Sequence, residues 1–500
     1  VAVAVAPAAR GRGRLRSIAI PRPLAALLVA CTLISVAWAV TTAPLQGPDE
    51  HNHYGYVQHL AETGSGPSFG AGAGASWSTE QQQWHAWQNL LGTIGIVDAR
   101  PGWNPAEEAQ LRGSLNRLPG SARKDGSGPN PVGQNPPLYY AYESIPYWLT
   151  RWTEPPTRLL FMRLANLPLY LLAIGFAWLA AGEVFRSRRR AMQTITAGVF
   201  GLLPQLTFMS GVLNPDILLT TLWAAMTWLA LVAVRTGPTP KVLIGLGVVA
   251  GGSAFTHGRG LAAAIPLALI LLLLLWRARR ALSPRLLAWM AASGGLLVLG
   301  VLGTLVYSSA HGGGESIGGQ VGATGHAGSI KGFLSYVWQF YLPPLRTMSP
   351  QGAPYGYRQV FIEGLGGTFS SLEITFPLWV YDALQLCAAA GLAAFAALVV
   401  RRWEAVRAHG AQVLVLLAIT LGMFAVLHAS AYRSLQGPPF DPLLVGRYLL
   451  PMAVPMALVV AFVCRALPRR VGAALGAGVM TLFMVLSLAG IALTVSRFYA

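Results

Sequence analysis

Eleven predominantly apolar runs constrain this chain more than any other feature of its sequence. They fall near residues 23–41, 159–182, 191–212, 217–234, 242–256, 260–276, 286–306, 377–400, 411–430, 446–463 and 471–493. A hydrocarbon core roughly 30 Å thick takes about 20 apolar residues per crossing helix. Inside it each backbone amide must find its partner within the protein, which helices do by themselves. The chain is therefore predicted to be an all-α polytopic membrane protein with about eleven transmembrane helices, the 242–256 run being the weakest. Only 11% of its 500 residues are charged, against roughly a quarter in soluble domains.

Basic residues near helix ends resist translocation, so their distribution predicts orientation. With the N-terminus (residues 1–22) in the cytoplasm, alternation places on that side the clusters Arg10–Arg22, Arg186–Arg190, Arg235 with Lys241, Arg277–Arg285, Arg401–Arg407 and Arg465–Arg470. These are 21 of the 36 basic residues, held in short loops. Only Glu183 and Glu404 join them, which leaves 16 of the 18 carboxylates on the other face. Two long polar segments, 42–158 and 307–376, fall on that extracytoplasmic side, and loops of such length are usually functional. The chain reads as one transmembrane domain over 1–500, in a cytoplasmic membrane and in contact with its lipids.

The net charge of +18 does not imply nucleic acid, because the basic residues flank spans and pattern no groove. Cys31, Cys387 and Cys464 sit in or beside spans, so no extracytoplasmic disulfide framework is available. The first apolar run follows Arg10, Arg12, Arg14 and Arg16 but lacks a small-residue cleavage pattern, which predicts an uncleaved anchor. In the first loop, Ser78–Leu91 carries Trp84 and Trp87 beside Gln81, Gln82 and Gln83. It reads as a helix lying at the membrane interface, with sugar stacking by the indoles as the alternative. In the second, HGGGESIGGQVGATGHAG (311–328) reads as a mobile stretch, and SYVWQFYLPPL as a segment resting on the membrane surface.

The stretch most suited to chemistry is Pro48-Asp49-Glu50-His51-Asn52-His53-Tyr54, directly after the first span. A helix beginning near Pro48 places Asp49 and His53 four apart on one face. Three readings stay open for the acidic pair. A carboxylate can take the proton of an attacking hydroxyl. Asp49, Glu50 and His53 together suit a divalent metal. Acids at a helix start also cap it and meet its dipole. Other polar groups mark the same face: Asn214-Pro215-Asp216, His257-Gly258-Arg259 and Gly446-Arg447-Tyr448. Arg259 and Arg447 stand at headgroup depth, where guanidinium suits bidentate phosphate binding; the bland reading is snorkelling to lipid. Asn135-Pro136-Pro137-Leu138-Tyr139-Tyr140 forms an extended turn whose tyrosines suit either the interface or a sugar site.

Together GPDEHNHY (47–54), NPPLYY (135–140), LNPD (213–216), SYVWQFYLP (335–343), FIEGLGGTFSSLE (361–373) and GRYLLP (446–451) resemble the GT-C glycosyltransferases, multispan enzymes that use polyprenyl-phosphate sugars. Within that group the chain is similar to a bacterial branch of predicted membrane proteins related to protein O-mannosyltransferases and lipid A aminoarabinose transferases. The resemblance implies an inverting transfer from a polyprenyl-phosphate-linked sugar to a glycan, lipid or protein acceptor at the extracytoplasmic face. It implies that Asp49, with Glu50 beside it, serves as base or positions the acceptor. Arg447, joined by Arg259 and Tyr448, would bind the donor phosphate, and His53, Asn135, Tyr139, Asn214, Asp216 and His257 would line the substrate. Related enzymes often carry a Lys after a Thr where this chain has Thr256-His257-Gly258-Arg259. No nucleotide is required and no cofactor is certain, a divalent metal being optional. Two rivals remain: a lipid or polysaccharide transporter, which predicts charges near the midplane, and a non-catalytic assembly partner in the cell envelope.

Overall fold

A computed structural model describes residues 20–70, 75–97, 99–100, 104–186, 188–280, 282–312, 329–349, 356–436 and 444–500. The arginines of the extreme N-terminus before residue 20 and the Gly-rich stretch from 313 to 328 lie outside these residues.

Each of the eleven apolar runs becomes helical, in two classes. Among the described residues nine helices have the length and composition to cross a bilayer: Arg22–Thr41, Pro155–Val184, Asp216–Thr236, Gly258–Ala278, Pro284–Ala310, Leu378–Arg401, Gly410–Ser434, Gly446–Ala466 and Arg469–Tyr499. Two begin on proline, whose missing N–H costs nothing in a first turn. The other two runs fall short, which corrects the count of eleven full spans. Pro240–Ala254 holds 15 residues, about 22 Å at helical rise. The 191–212 run is broken, because Arg189–Gly201 ends and Pro204–Met209 starts afresh after an extended Leu203. Pro204 has no amide to carry the first helix onward.

Protein rather than lipid surrounds that break. Leu202, Leu203, Thr207 and Ser210 are buried. Thr207 Oγ1 accepts from Trp38 Nε1 at 3.2 Å and donates to Pro204 O at 2.8 Å. Irregular backbone at membrane depth is tolerated under such cover. The short helix is held differently, by close approach to Pro284–Ala310. A Cβ added at Gly300 would stand 2.2 Å from Gly251 O, and one at Gly251 would stand 2.4 Å from Leu296 O. Small residues at such crossings let helix backbones touch.

Asp216–Thr236 and Gly446–Ala466 are the most enclosed of the long helices, and Leu378–Arg401 the most exposed. The two central helices thus carry Asp216 and Arg447 at their starts.

The first loop folds onto this end of the bundle as helices Glu50–Thr63, Thr79–Trp87, Leu90–Thr93, Pro105–Asn116 and Leu138–Leu149. Here the interfacial reading of Ser78–Leu91 is corrected for its inner face. Trp84 has no exposed surface and packs edge-on to Tyr54 at 5.4 Å. Glu80, one turn earlier, meets buried Arg158 at 2.6 Å. With Trp84 sealed inside protein, the same indole has no face left for a sugar.

In the second loop, Ile330–Tyr341 turns Tyr336 and Phe340 inward and leaves Ile330, Leu334 and Trp338 exposed four residues apart. That is the spacing of one helix face. His428 of the Gly410–Ser434 helix pins it, facing the hydroxyls of Tyr336 (3.2 Å) and Tyr341 (2.8 Å). A two-residue hairpin follows, Thr368 opposite Thr375 and Phe369 opposite Ile374.

Candidate functional site

The first span ends at Thr41, and the turn Gly47-Pro48-Asp49 leads into the Glu50–Thr63 helix. Asp49 is left-handed, with φ 58° and ψ 13°, and its side chain makes no capping bond. A non-glycine residue in that region stores strain of about 1–2 kcal/mol. Capping therefore does not account for Asp49. Its Oδ2 instead accepts from Arg447 Nη2 at 2.8 Å, and its side chain stays 48% exposed.

Glu50 is placed quite differently. It is fully buried, and its two oxygens accept from Arg163 Nε at 2.8 Å and Nη2 at 2.6 Å. Leu213 N–H adds a bond to Oε1 at 2.9 Å, and Gly47 N–H one to Oε2 at 3.2 Å. Arg163 spends its other donors on the carbonyls of Ala39, Thr42 and Ala43. This pair ties the end of the first span, the Asp49 turn and the Leu213-Asn214 turn into one unit. Four acceptor bonds saturate Glu50, which makes it the brace behind Asp49.

Asn214 continues the brace. Its Nδ2 donates to Pro48 O at 3.1 Å and lies 3.3 Å from His53 Nε2, while its Oδ1 accepts from Asp216 N at 3.0 Å. With Nε2 accepting, the His53 proton sits on Nδ1, 3.0 Å from the Tyr140 hydroxyl. Asn135 Nδ2 donates to that hydroxyl at 3.1 Å. Tyr140 also stacks on Tyr56 with centroids 3.6 Å apart. Burial pushes the His53 pKa down to about 3, against the opposing pull of Asp49, so the ring is neutral. Tyr139 points elsewhere, donating to Asn166 Oδ1 at 3.1 Å.

Across from Asp49, four charges alternate in a chain: Asp49, Arg447, Asp216, Arg259. Arg259 Nη2 donates to Asp216 Oδ1 at 2.6 Å, and Arg447 Nε stands 3.6 Å from Asp216 Oδ2. The latter is an ion pair too long for a hydrogen bond. The Arg259 guanidinium lies over the Tyr448 ring at 3.7 Å and that of Arg447 at 5.5 Å, within cation–π range. Asp216 is 2% exposed, Arg447 9% and Arg259 14%. Arg259 Nη1 is buried with no hydrogen-bond partner, and so are Arg447 Nε and Asp216 Oδ2, which face each other as the 3.6 Å ion pair.

His257 caps the short helix Gly258–Ala263, its Nδ1 accepting from Arg259 N at 3.1 Å. Burial, aided by the charge of Arg259, drives its pKa well below the usual range. The proton of the neutral ring then belongs on Nε2, which lies 3.3 Å from Arg259 Nη2. Two donors side by side call for an acceptor between them.

The Asp49 carboxyl itself lies below its ordinary pKa. Burial works to raise it, but the charge of Arg447 and the direct bond from Arg447 act against burial, and the net shift is downward. An accessible, ionised carboxylate thus faces two enclosed guanidiniums with unused donors.

The metal reading of Asp49, Glu50 and His53 is corrected by these contacts. Glu50 is saturated by Arg163 and backbone amides, and both ring nitrogens of His53 are engaged. Among the described residues no group of three or more His, Cys, Asp or Glu could hold a metal ion.

The structure brings together Asp49, Asn214, Asp216, His257, Arg259, Arg447, Tyr448, His53 and Asn135 of the residues expected from sequence. Sequence reasoning missed Arg163 and ranked Tyr139 above Tyr140. Arg163 did carry a signal, since an ionisable residue inside an apolar run is costly unless paired.

A family model described as "Predicted membrane protein (DUF2142)" matches residues 32–456. No curated protein matches the chain significantly. Solved structures with a similar course include ArnT from Cupriavidus metallidurans bound to undecaprenyl phosphate, with 14% identity and a TM-score of 0.41 over 90% of this chain and 62% of that one. The apo form of the same protein gives 15% and 0.40, over 89% and 60%. The oligosaccharyltransferase of Archaeoglobus fulgidus in its apo form gives 15% and 0.47, over 95% and 56%. The chain thus spans about 56 to 62% of the length of the solved structures it matches.

Proposed function

The chain belongs to the DUF2142 family of predicted membrane proteins, and from that premise we propose that it transfers a sugar from a polyprenyl-phosphate donor to a hydroxyl-bearing envelope acceptor at the extracytoplasmic face of the cytoplasmic membrane. The observation that carries this reading is the Asp49–Arg447–Asp216–Arg259 chain, with unpartnered guanidinium donors beside an accessible carboxylate.

The donor phosphate docks between Arg447 and Arg259, using Arg447 Nε and Arg259 Nη1, with the His257 Nε2 proton adjacent. Fixed donors aimed where charge develops lower the barrier to a leaving phosphate. The acceptor oxygen attacks the anomeric carbon as the bond from that carbon to the phosphate oxygen breaks. The electron pair leaves with the phosphate, and the hydroxyl proton passes to Asp49. A single displacement of this kind inverts the anomeric centre.

The four charges sum to zero before the donor arrives, so an incoming phosphate must compete with a carboxylate. Asp216 is buried between two arginines, whereas Asp49 is the exposed member and yields first. Phosphate on Arg447 weakens its hold on Asp49, and the carboxylate gains basicity when a substrate is present to use it.

The test is transfer of radiolabelled sugar from polyprenyl-phosphate donors by purified protein, comparing wild type with Asp49→Asn and Arg447→Ala. Turnover equal to wild type in both variants overturns the site assignment. Absence of any donor consumption by wild type across the common envelope sugars overturns the activity.

A further inference from the structure

The end of the bundle opposite Asp49 holds a second basic constellation. Arg188, Arg402 and Arg465, the last at the end of its helix, flank one open cleft of about 420 Å³ with Ala466, Leu467 and Pro468, and Arg188 and Arg402 are exposed. Arg188 Nη1 donates to Leu467 O at 3.1 Å, and Arg402 Nη2 to Ala466 O at 3.4 Å. These backbone carbonyls hold the guanidiniums over the cleft but use only one of the five donors each carries. Among the described residues no carboxylate pairs with Arg188 or Arg402. Glu183, the acid nearest Arg188 in sequence, is taken by Arg235, and Glu404, two residues from Arg402, forms no ion pair with it.

Arg465 alone would be explained by a helix dipole, since it stands in the last turn of its helix, where cations are favoured; Arg402 sits between two helices, following Leu378–Arg401 and preceding Trp403–Ala408. Arg188 is not so explained. It immediately precedes the helix Arg189–Gly201, at the end where the dipole repels a cation, and its backbone is left-handed with φ 52°. Charge repulsion and backbone strain both oppose this placement. An anion seated among the three guanidiniums removes the first penalty and offsets the second.

We propose that this cleft binds the phosphate of an anionic membrane phospholipid. All three arginines lie where apolar helices end, which is headgroup depth. Trp403, next to Arg402, is 58% exposed, and Val400, three residues before it, and Val471, three residues after Pro468, are exposed as well. An indole at the headgroup level flanked by aliphatic surface suits a ligand with a charged head and an acyl body. This site is independent of the transfer chemistry proposed for the other end.

The experiment is native mass spectrometry of the full chain released from vesicles of equal phosphatidylglycerol and phosphatidylcholine. Wild type is expected to retain phosphatidylglycerol at least fivefold over phosphatidylcholine, and Arg188→Gln and Arg402→Gln each to reduce that preference severalfold. The double variant Arg469→Gln/Arg470→Gln removes exposed charges of the same connection outside the cleft and should keep it. Equal loss in that control, or no preference in wild type, overturns the proposal. Displacement of the lipid by millimolar inorganic phosphate also overturns it, because the site would then belong to the free anion.

Discussion

Arg447 and Asp49, 398 residues apart in the chain, meet at 2.8 Å between Nη2 and Oδ2, and this contact joins the first loop to the start of a late span. The arginine is enclosed and the aspartate half exposed, so the pair opens from the aspartate side. Arg447→Ala should lower kcat/KM for sugar transfer by about 10²–10³, the range for removing a fixed donor to a developing anion. Arg447→Lys should recover little, because an ammonium cannot reproduce the planar fork. Radiolabel transfer under single-turnover conditions measures both.

Asp49 fixes a pH signature. Its pKa is depressed in the free protein, so it stays ionised until the pH falls below the ordinary aspartate range. The acid limb of kcat/KM should therefore lie below about pH 4. With phosphate on Arg447, the neighbouring negative charge raises the Asp49 pKa, and the limb of kcat should move to higher pH. For stability the sign is the usual one for a depressed carboxyl. The contribution is full above the unfolded pKa and is lost as pH falls through the folded one. Coincident limbs in the two profiles would count against exchange of Arg447 between Asp49 and the donor.

Glu50 and Arg163 should behave as structure. Removing one partner of a buried, saturated pair costs about 3–5 kcal/mol. Arg163→Met should lower the melting temperature sharply in detergent, and so should Glu50→Gln to a smaller degree. The double variant Glu50→Gln/Arg163→Met should fall by much less than the sum of the two. Additive losses would show that the residues act separately.

The course of the chain was largely legible because burial in lipid imposes a length rule, and all eleven apolar runs became helices. The 191–212 run misled because hydropathy is blind to Pro204, and the 242–256 run because composition cannot register a helix that stops early against a neighbour. The site was legible where polar residues punctuate span ends, as with Asp49, Asp216, Arg259 and Arg447. Glu50 was not separable from Asp49 in sequence, since the left-handed turn at Asp49 that sends the two side chains apart leaves no mark in residue type. One reaches the open cleft and the other the protein interior. Trp84 misled for a related reason, because an indole on an amphipathic helix packs equally well on lipid and on another helix.

Trp84 separates those two environments by measurement. Buried against Tyr54 with no exposed surface, it should cost about 3–5 kcal/mol when replaced by alanine. Trp87, only partly buried, should cost less. Thermal unfolding of the two variants in the same detergent gives the comparison, and equal melting temperatures would return Trp84 to the membrane interface.

Gly446 supplies the last and sharpest expectation, because it sets where Arg447 begins. Its backbone lies so close to Gly364 that a Cβ on Gly446 would stand 2.3 Å from Gly364 Cα, and one on Gly364 would stand 2.5 Å from Gly446 Cα. Both obstacles are backbone, so neither can rotate aside. Gly446→Ala must push the Gly446–Met452 turn away from the Gly364–Gly367 segment and carry the Arg447 guanidinium with it. A displacement near 1 Å at a reacting centre is worth about 10²-fold in rate. Turnover should therefore fall by at least tenfold and KM for the donor should rise, while Gly391→Ala, whose Cβ would meet open space, should leave both unchanged. Wild-type turnover in Gly446→Ala would mean that Arg447 is not the group on which the donor phosphate depends.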